Sequence, residues 1–135
     1  MAWAFPQADE VVMDLLEDEL DPSAGVWVGS WYPEQDHVGP KVIVSKLPSS
    51  TEGGTRYGTV EVMVEAPERG VAKALAVEIS ERLNELVGQR VRRVLVDDVI
   101  ENAGPQVADN IDSTMRTYTM VYSLGFRKQL LHGGV

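Results

Sequence analysis

Residues 114–128 read Thr-Met-Arg-Thr-Tyr-Thr-Met-Val-Tyr-Ser-Leu-Gly-Phe-Arg-Lys, and this stretch decides the fold. Tyr118, Met120, Tyr122, Leu124 and Phe126 recur at period two, while Thr117, Thr119, Val121, Ser123 and Gly125 fall between them. Such alternation predicts a long strand with one buried face and one semi-polar face. A typical strand runs about five or six residues. A strand of twice that length in a small domain reaches beyond its own core or pairs with a neighbour, so the chain argues for assembly before catalysis.

Working back from this strand, the sequence alternates helical and extended patterns. Residues Asp9 to Leu20 place Val11, Val12, Leu15, Leu16 and Leu20 on one face, with Asp9 as a candidate cap and Asp21-Pro22 as the stop. Val26 to Trp31 reads as a first strand and Lys41 to Ser45 as a second. Ser49 to Gly54 reads as a flexible loop. Arg56 to Glu65 is a third strand, with Val60, Val62 and Val64 facing inward. A helix from Pro67 to about Val87 carries a stripe of Val71, Leu75, Ile79, Leu83 and Leu86, widened by Ala72, Ala76 and Val87. Val91 to Ile100 is a fourth strand ending at Asp97 and Asp98, followed by a loop from Glu101 to Ser113. The final strand closes the pattern, and residues 130–135 read as a flexible tail.

This order predicts a single α+β domain over residues 1–135. Its mixed or mostly antiparallel sheet has about five strands, with two main helices packed on one face. The third strand, long helix and fourth strand form a candidate crossover unit, right-handed if those strands are parallel.

Composition narrows the function. A chain of 135 residues suits one hydrophobic core. The formal charge of -9 disfavours a grip on the nucleic-acid backbone, which needs clustered Lys and Arg. It remains compatible with surrounding DNA without adhering to it. The chain has no cysteine, so thiolate and disulfide chemistry are excluded and a reducing cytoplasm is suitable. The opening Met-Ala-Trp-Ala-Phe-Pro lacks the basic start and apolar core of a secretory signal. No apolar run reaches the length of a membrane span.

Catalytic signatures are weak. The only histidines, His37 and His132, fall in a polar loop and the expected tail, away from any nucleophile motif. The acids from Asp9 to Asp21 lack calcium-loop spacing and read as a solvated helix face. Asp97 and Asp98 have no histidine nearby and read as a surface turn. No catalytic residue, metal or cofactor is expected. The basic residues Arg56, Arg90, Arg92, Arg93, Arg116 and Arg127 cluster at strand ends, where charge blunts unwanted pairing or meets the acidic face of a neighbouring subunit. Trp27 and Trp31 share parity and serve as core residues or interface anchors.

The layout as a whole resembles a known family. An acidic helix, a Val-alternating strand, the helix Glu68 to Val87, Asp109-Asn110, Arg116-Thr117-Tyr118 and the strand Thr119 to Arg127 are similar to the tail terminator (tail completion) proteins of long-tailed, siphovirus-like bacteriophages. The resemblance spans about Asp9 to Lys128 and rests on patterns rather than on a chemical signature. It implies a non-enzymatic virion protein of the tail or neck, assembled in the host cytoplasm without a membrane. Such a protein forms a homo-hexameric ring that caps the tail-tube protein, ends tube polymerisation and joins the tail to the head–tail connector protein. DNA passes through the lumen without specific binding. The loop containing Ser49, Ser50, Thr51 and Glu52 then becomes a candidate arm that orders on a ring neighbour or tube subunit. The alternatives are a head-closure or connector-side neck protein, and a small cytoplasmic α+β enzyme or ligand-binding domain.

Overall fold

The strand over Arg116–Phe126 exists as the alternation predicts, and it lies at the centre of the sheet. In the computed structural model, residues 2–20, 25–31, 39–52, 54–108 and 116–131 are described; Ala2, Ser50, Thr51, Glu52 and Leu131 are described by backbone alone. The elements run β1 (Ala2–Ala4), α1 (Ala8–Glu19), β2 (Trp27–Gly29), β3 (Lys41–Lys46), β4 (Ser50–Glu52), β5 (Thr55–Ala66), α2 (Arg69–Asn84), β6 (Arg90–Val91), β7 (Val94–Leu95), β8 (Asp98–Ala108), β9 (Arg116–Phe126) and β10 (Gln129–Leu131).

The main sheet has the order β2-β3-β5-β9-β8, with β4 pairing β5 off that path. Among the described residues, β2 and β3 are the parallel neighbours of this sheet and its other pairings are antiparallel. The fold is therefore α+β with a mixed sheet and two main helices. Because β5 and β8 both run antiparallel to β9, they are parallel to each other with β9 between them. The expected crossover through α2 is thus split by the last long strand.

Period two explains the core. Val60, Val62 and Val64 of β5 lie opposite Tyr122, Met120 and Tyr118 of β9, and all are buried. Val42 and Val44 of β3 continue this face across Val64 and Val62. Onto it α1 lays Val11, Val12, Leu15 and Leu16, and α2 lays Leu75, Ala76, Ile79 and Leu83, forming one cluster. Small Ala72 and Ala76 are fully buried and let α2 approach the sheet closely. Val71 and Val87, expected on the α2 stripe, are instead 42% and 50% exposed. The buried arc of α2 is centred on its Ala72–Ala76–Ser80 side, which turns Val71 outward, while α2 ends at Asn84 and leaves Val87 in the turn beyond it.

Several boundaries shift for physical reasons. The expected strand from Val91 to Ile100 is broken by a tight hairpin at Arg92, whose φ is 54°, and a new strand begins at Asp98. Residues 101–108, expected in a loop, continue that strand as the sheet edge. Gly104-Pro105 is tolerated there because an outer strand needs no second row of hydrogen bonds, and two register irregularities absorb the mismatch with β9. The Ser49 to Gly54 loop contains a strand instead, since Ser50, Thr51 and Glu52 pair with Tyr57, Arg56 and Thr55. Leu130 and Leu131, expected in a tail, pair with Trp3 and Ala2 in a two-stranded ribbon. Asp9 does not cap α1; the N-cap position is Gln7, without a side-chain cap bond. His37, Tyr32, Asp109-Asn110 and His132 lie outside the described residues.

One close approach tests this packing. A Cβ built on Gly58 of β5 would come within 2.6 Å of the Ala8 Cβ, whereas one on Gly70 of α2 meets nothing within 4 Å. Gly58→Ala is therefore expected to destabilise by about 1–3 kcal/mol, because a backbone-fixed methyl cannot move aside. Gly70→Ala is expected to be neutral or to stabilise by up to about 1 kcal/mol through helix propensity. Urea unfolding of both variants checks the contrast, and equal effects would contradict the α1–β5 contact.

Candidate assembly surface

Three groups of polar and charged side chains hold the outer parts of the molecule, and each begins with local chain geometry. The first lies at the β1–β10 ribbon. A two-stranded ribbon of three residue pairs is marginal by itself. It is anchored by Gln129, whose amide donates to the Leu95 carbonyl at 2.8 Å and accepts from the Leu95 N–H at 2.9 Å. The side chain thus occupies both backbone positions of a β7 residue. Beside it, the Arg56 guanidinium lies 4.7 Å from the centre of the Phe5 ring and the Lys128 ammonium 5.9 Å from it, within cation–π range. Lys46 donates to Gln7 at 2.7 Å.

The second group fastens the β6–β7 hairpin to α1. Arg92 adopts a left-handed backbone, which costs a non-glycine residue on the order of 1–3 kcal/mol. From that position its guanidinium reaches Asp14 at 2.9 Å, Asp18 at 3.1 Å and Glu17 at 3.4 Å. These carboxylates occur at helical spacing on one side of α1, so one planar fork engages all three. Burial raises the Asp14 pKa against the opposing pull of Arg92, with Glu17 and Asp18 adding like charge. The same acids hold the Arg92 pKa above its usual value, chiefly through the Asp18 hydrogen bond.

The third group lies between α2 and the sheet. Tyr122 sits on the inner face of β9, and its buried hydroxyl needs partners. It donates to Glu101 at 2.6 Å, shares a 2.6 Å bond with Ser80 and accepts from Asn84 at 3.1 Å. Asn84 also donates to Glu101 at 3.1 Å. Burial and the neighbouring carboxylate push the Tyr122 pKa to about 12. The Tyr122 and Asn84 bonds hold the Glu101 carboxyl below the usual range. Sequence reasoning passed over this cluster by assigning Glu101 to a loop, although a buried tyrosine in a strand signals that a polar partner must be close.

The residues singled out from the sequence do not form one patch. Arg90, Arg92 and Arg93 share the β6–β7 hairpin, and Arg90 donates to the Arg93 carbonyl at 3.1 Å. Arg127 donates three hydrogen bonds to Asp97, two from its guanidinium and one from its backbone N–H, each at 3.0 Å, and these lower the Asp97 pKa. Arg56 is at the ribbon end of β5. Arg116 opens β9 at the opposite end, across from Ala66. Ser49 is exposed just before the β4–β5 hairpin. Asp98 is no free surface acid either: it accepts from the Tyr57 hydroxyl at 2.9 Å.

Known proteins match in fold only. No protein-family model and no curated protein matches this sequence. A chain from a solved structure described as the virion of a native gene transfer agent particle aligns at TM-score 0.66 with 17% identity, covering 91% of this chain and 96% of that one. A second solved chain, of unstated role, aligns at TM-score 0.52 with 12% identity, covering 92% of this chain and all of its own length. At these identities the likeness establishes a shared fold.

Acid titration tests the two lowered carboxylates. A depressed folded pKa contributes stability that is present above the unfolded value and lost as pH falls through the folded one. Glu101 and Asp97 should therefore weaken the fold below the ordinary values of 4.5 and 3.8. Asp14, with its raised pKa, works in the opposite direction. Glu101→Gln is expected to flatten the loss between about pH 5 and pH 3 in thermal unfolding. An unchanged pH profile would contradict the Tyr122–Glu101 linkage.

Proposed function

We propose that this protein is a structural component of a phage or phage-like virion, and specifically a tail terminator that works by assembly. The observation that carries the reading is the near full-length likeness to a chain from a gene transfer agent virion, with almost no unmatched length on either side. That likeness does not distinguish positions within the particle. The finer assignment draws on the sequence resemblance to tail terminators quoted above. In this reading copies close into a six-fold ring on the last layer of tail-tube protein, block further addition and present the opposite face to the head–tail connector.

The physical features support such a role. Ring closure needs a contact between unlike surfaces of identical copies, and the split of charge within this chain provides unlike surfaces. The chain is acidic overall at -9, yet carries cations at the Phe5 site and along the β6–β7 hairpin. An acidic wall around a lumen would repel the DNA backbone and let it slide. The β4–β5 hairpin projects beyond β3, whose pairing with β5 stops at Val60, and is well placed to be the arm that touches a tube subunit.

Negative-stain microscopy of the purified protein mixed with the candidate tail-tube protein tests the reading. Rings, and tubes capped at one end, are the expected result; tubes that grow unchecked beside featureless particles would overturn it. In a particle lacking this protein, overlong tubes are expected, whereas headless tails of normal length would place it on the connector side instead. Replacing Ser50, Thr51 and Glu52 together by alanine keeps the β4–β5 backbone pairing and should abolish capping while leaving the circular dichroism spectrum and melting transition intact. Tails of normal length in that variant would exclude the hairpin as the arm.

A further inference from the structure

The β5–β9 ladder has two unlike ends. At one end Arg56 lies opposite Phe126, beside the β4–β5 hairpin; at the other Ala66 lies opposite Arg116. At about 3.3 Å per residue, residues 56 and 66 are about 33 Å apart. A cleft of about 200 Å³ opens at the Arg116 end, lined by Arg69, Val107, Ala108, Arg116, Thr117 and Tyr118.

The charge of this cleft is one-sided. Its lining holds two arginines and no acid. Arg116 shares the parity of Tyr118, and Val107 stands opposite Tyr118, so both fall on the sheet face that carries the helices. Arg69 meets them there as the first residue of α2. The nearby acids do not close the site. Glu65 lies opposite Thr117, on the other face of the sheet. Glu68, the N-cap residue, makes no side-chain cap bond and is outside the lining, and the first turn of α2 contains no acid. Among the described residues, Arg69 makes no hydrogen bond or ion pair. Val107 is 59% exposed although it lines the cleft, so its apolar surface is open to whatever enters.

On a chain of net charge -9 this is a local reversal of sign. Guanidinium groups are planar forks that match carboxylates, and arginine beside exposed aliphatic surface is a composition of protein interfaces. We propose that the cleft receives an acidic segment of the head–tail connector protein. A carboxylate of that segment accepts from Arg69 and Arg116, and an apolar neighbour covers Val107. This inference rests on the reading of the protein as a tail terminator and names the surface that meets its head-side partner. In that reading the β4–β5 hairpin touches the tube, and the cleft stands at the far end of the ladder, facing away from it. A carboxylate on a peptide also fits better than a DNA phosphate, because the acidic remainder of the chain repels a long polyanion.

Charge reversal at Arg69 tests the proposal. Arg69 is exposed and opens α2, where an acid suits the helix dipole, so Arg69→Glu is expected to leave the melting transition unchanged or slightly higher. Sedimentation with the candidate connector protein is expected to show binding weakened by about tenfold in Arg69→Glu and in Arg116→Gln, the loss of a charge-assisted bond, and largely kept in Arg69→Lys. A hexaglutamate peptide should displace the connector from the wild-type protein. Unchanged connector binding in both variants would overturn the proposal. Connector binding that persists while Arg69→Glu abolishes self-association, or duplex DNA binding, would instead give the cleft to a ring neighbour or to nucleic acid. In particles, Arg69→Glu should yield headless tails of normal length; overlong tails would put the cleft on the tube side and overturn the inference. Tube capping separates this result from the function on which it rests. A variant that still caps tubes and still binds the connector removes the cleft contact and leaves the terminator reading standing. Arginine-dependent connector binding by a wild-type protein that never caps tubes would do the reverse.

Discussion

The fold depends on β9 having a strand on each side. Its backbone pairs with β5 over eleven residues from Arg116 to Phe126 and with β8 along the other edge. A long strand with both hydrogen-bonding edges occupied is an internal beam. The expectation that it pairs with a neighbouring subunit is thereby removed, since no backbone row is left to offer. What the length of β9 provides is a continuous apolar face broad enough to receive both helices. The β5–α2–β8 crossover and the α1 packing are positioned by that one face, and the polar cluster at Tyr122 fixes α2 against it.

The readable and unreadable parts of the sequence separate along physical lines. Period-two runs in β5 and β9 and the helical stripes in α1 and α2 are local signals with large burial behind them, and they were legible. The β6–β7 hairpin was not, because its turn uses Arg92 in a left-handed conformation, where glycine or asparagine would have been the readable choice. The compensation comes from three acids on a distant helix, which no local window contains. β8 was misread because Gly104-Pro105 resembles a loop, and only its edge position makes the pair acceptable in a strand. The ribbon was missed because two three-residue segments at opposite extremes of the sequence carry no periodicity of their own.

The site residues show the same division. Arginines at strand ends were visible as a class, but their partners were not. Arg92 and Arg127 engage acids of their own chain, and Arg56 lies on an aromatic ring, so much of the basic character is used to hold local structure. Exposed ion pairs of this kind add little to stability by themselves. Their larger effect is to fix the orientation of the hairpin and the ribbon.

The ribbon also has a consequence in time. Its arms, Ala2–Ala4 and Gln129–Leu131, are separated by every other element of the fold, and the clamp that holds it depends on β7 being in place. During synthesis, the first arm emerges early and waits unpaired while the ribosome completes the sheet. Only a polypeptide translated through Leu131 can present Trp3 in its final setting. Truncated products would lack that surface even if their helices and first strands had formed, so the displayed Trp3 reports a completed chain.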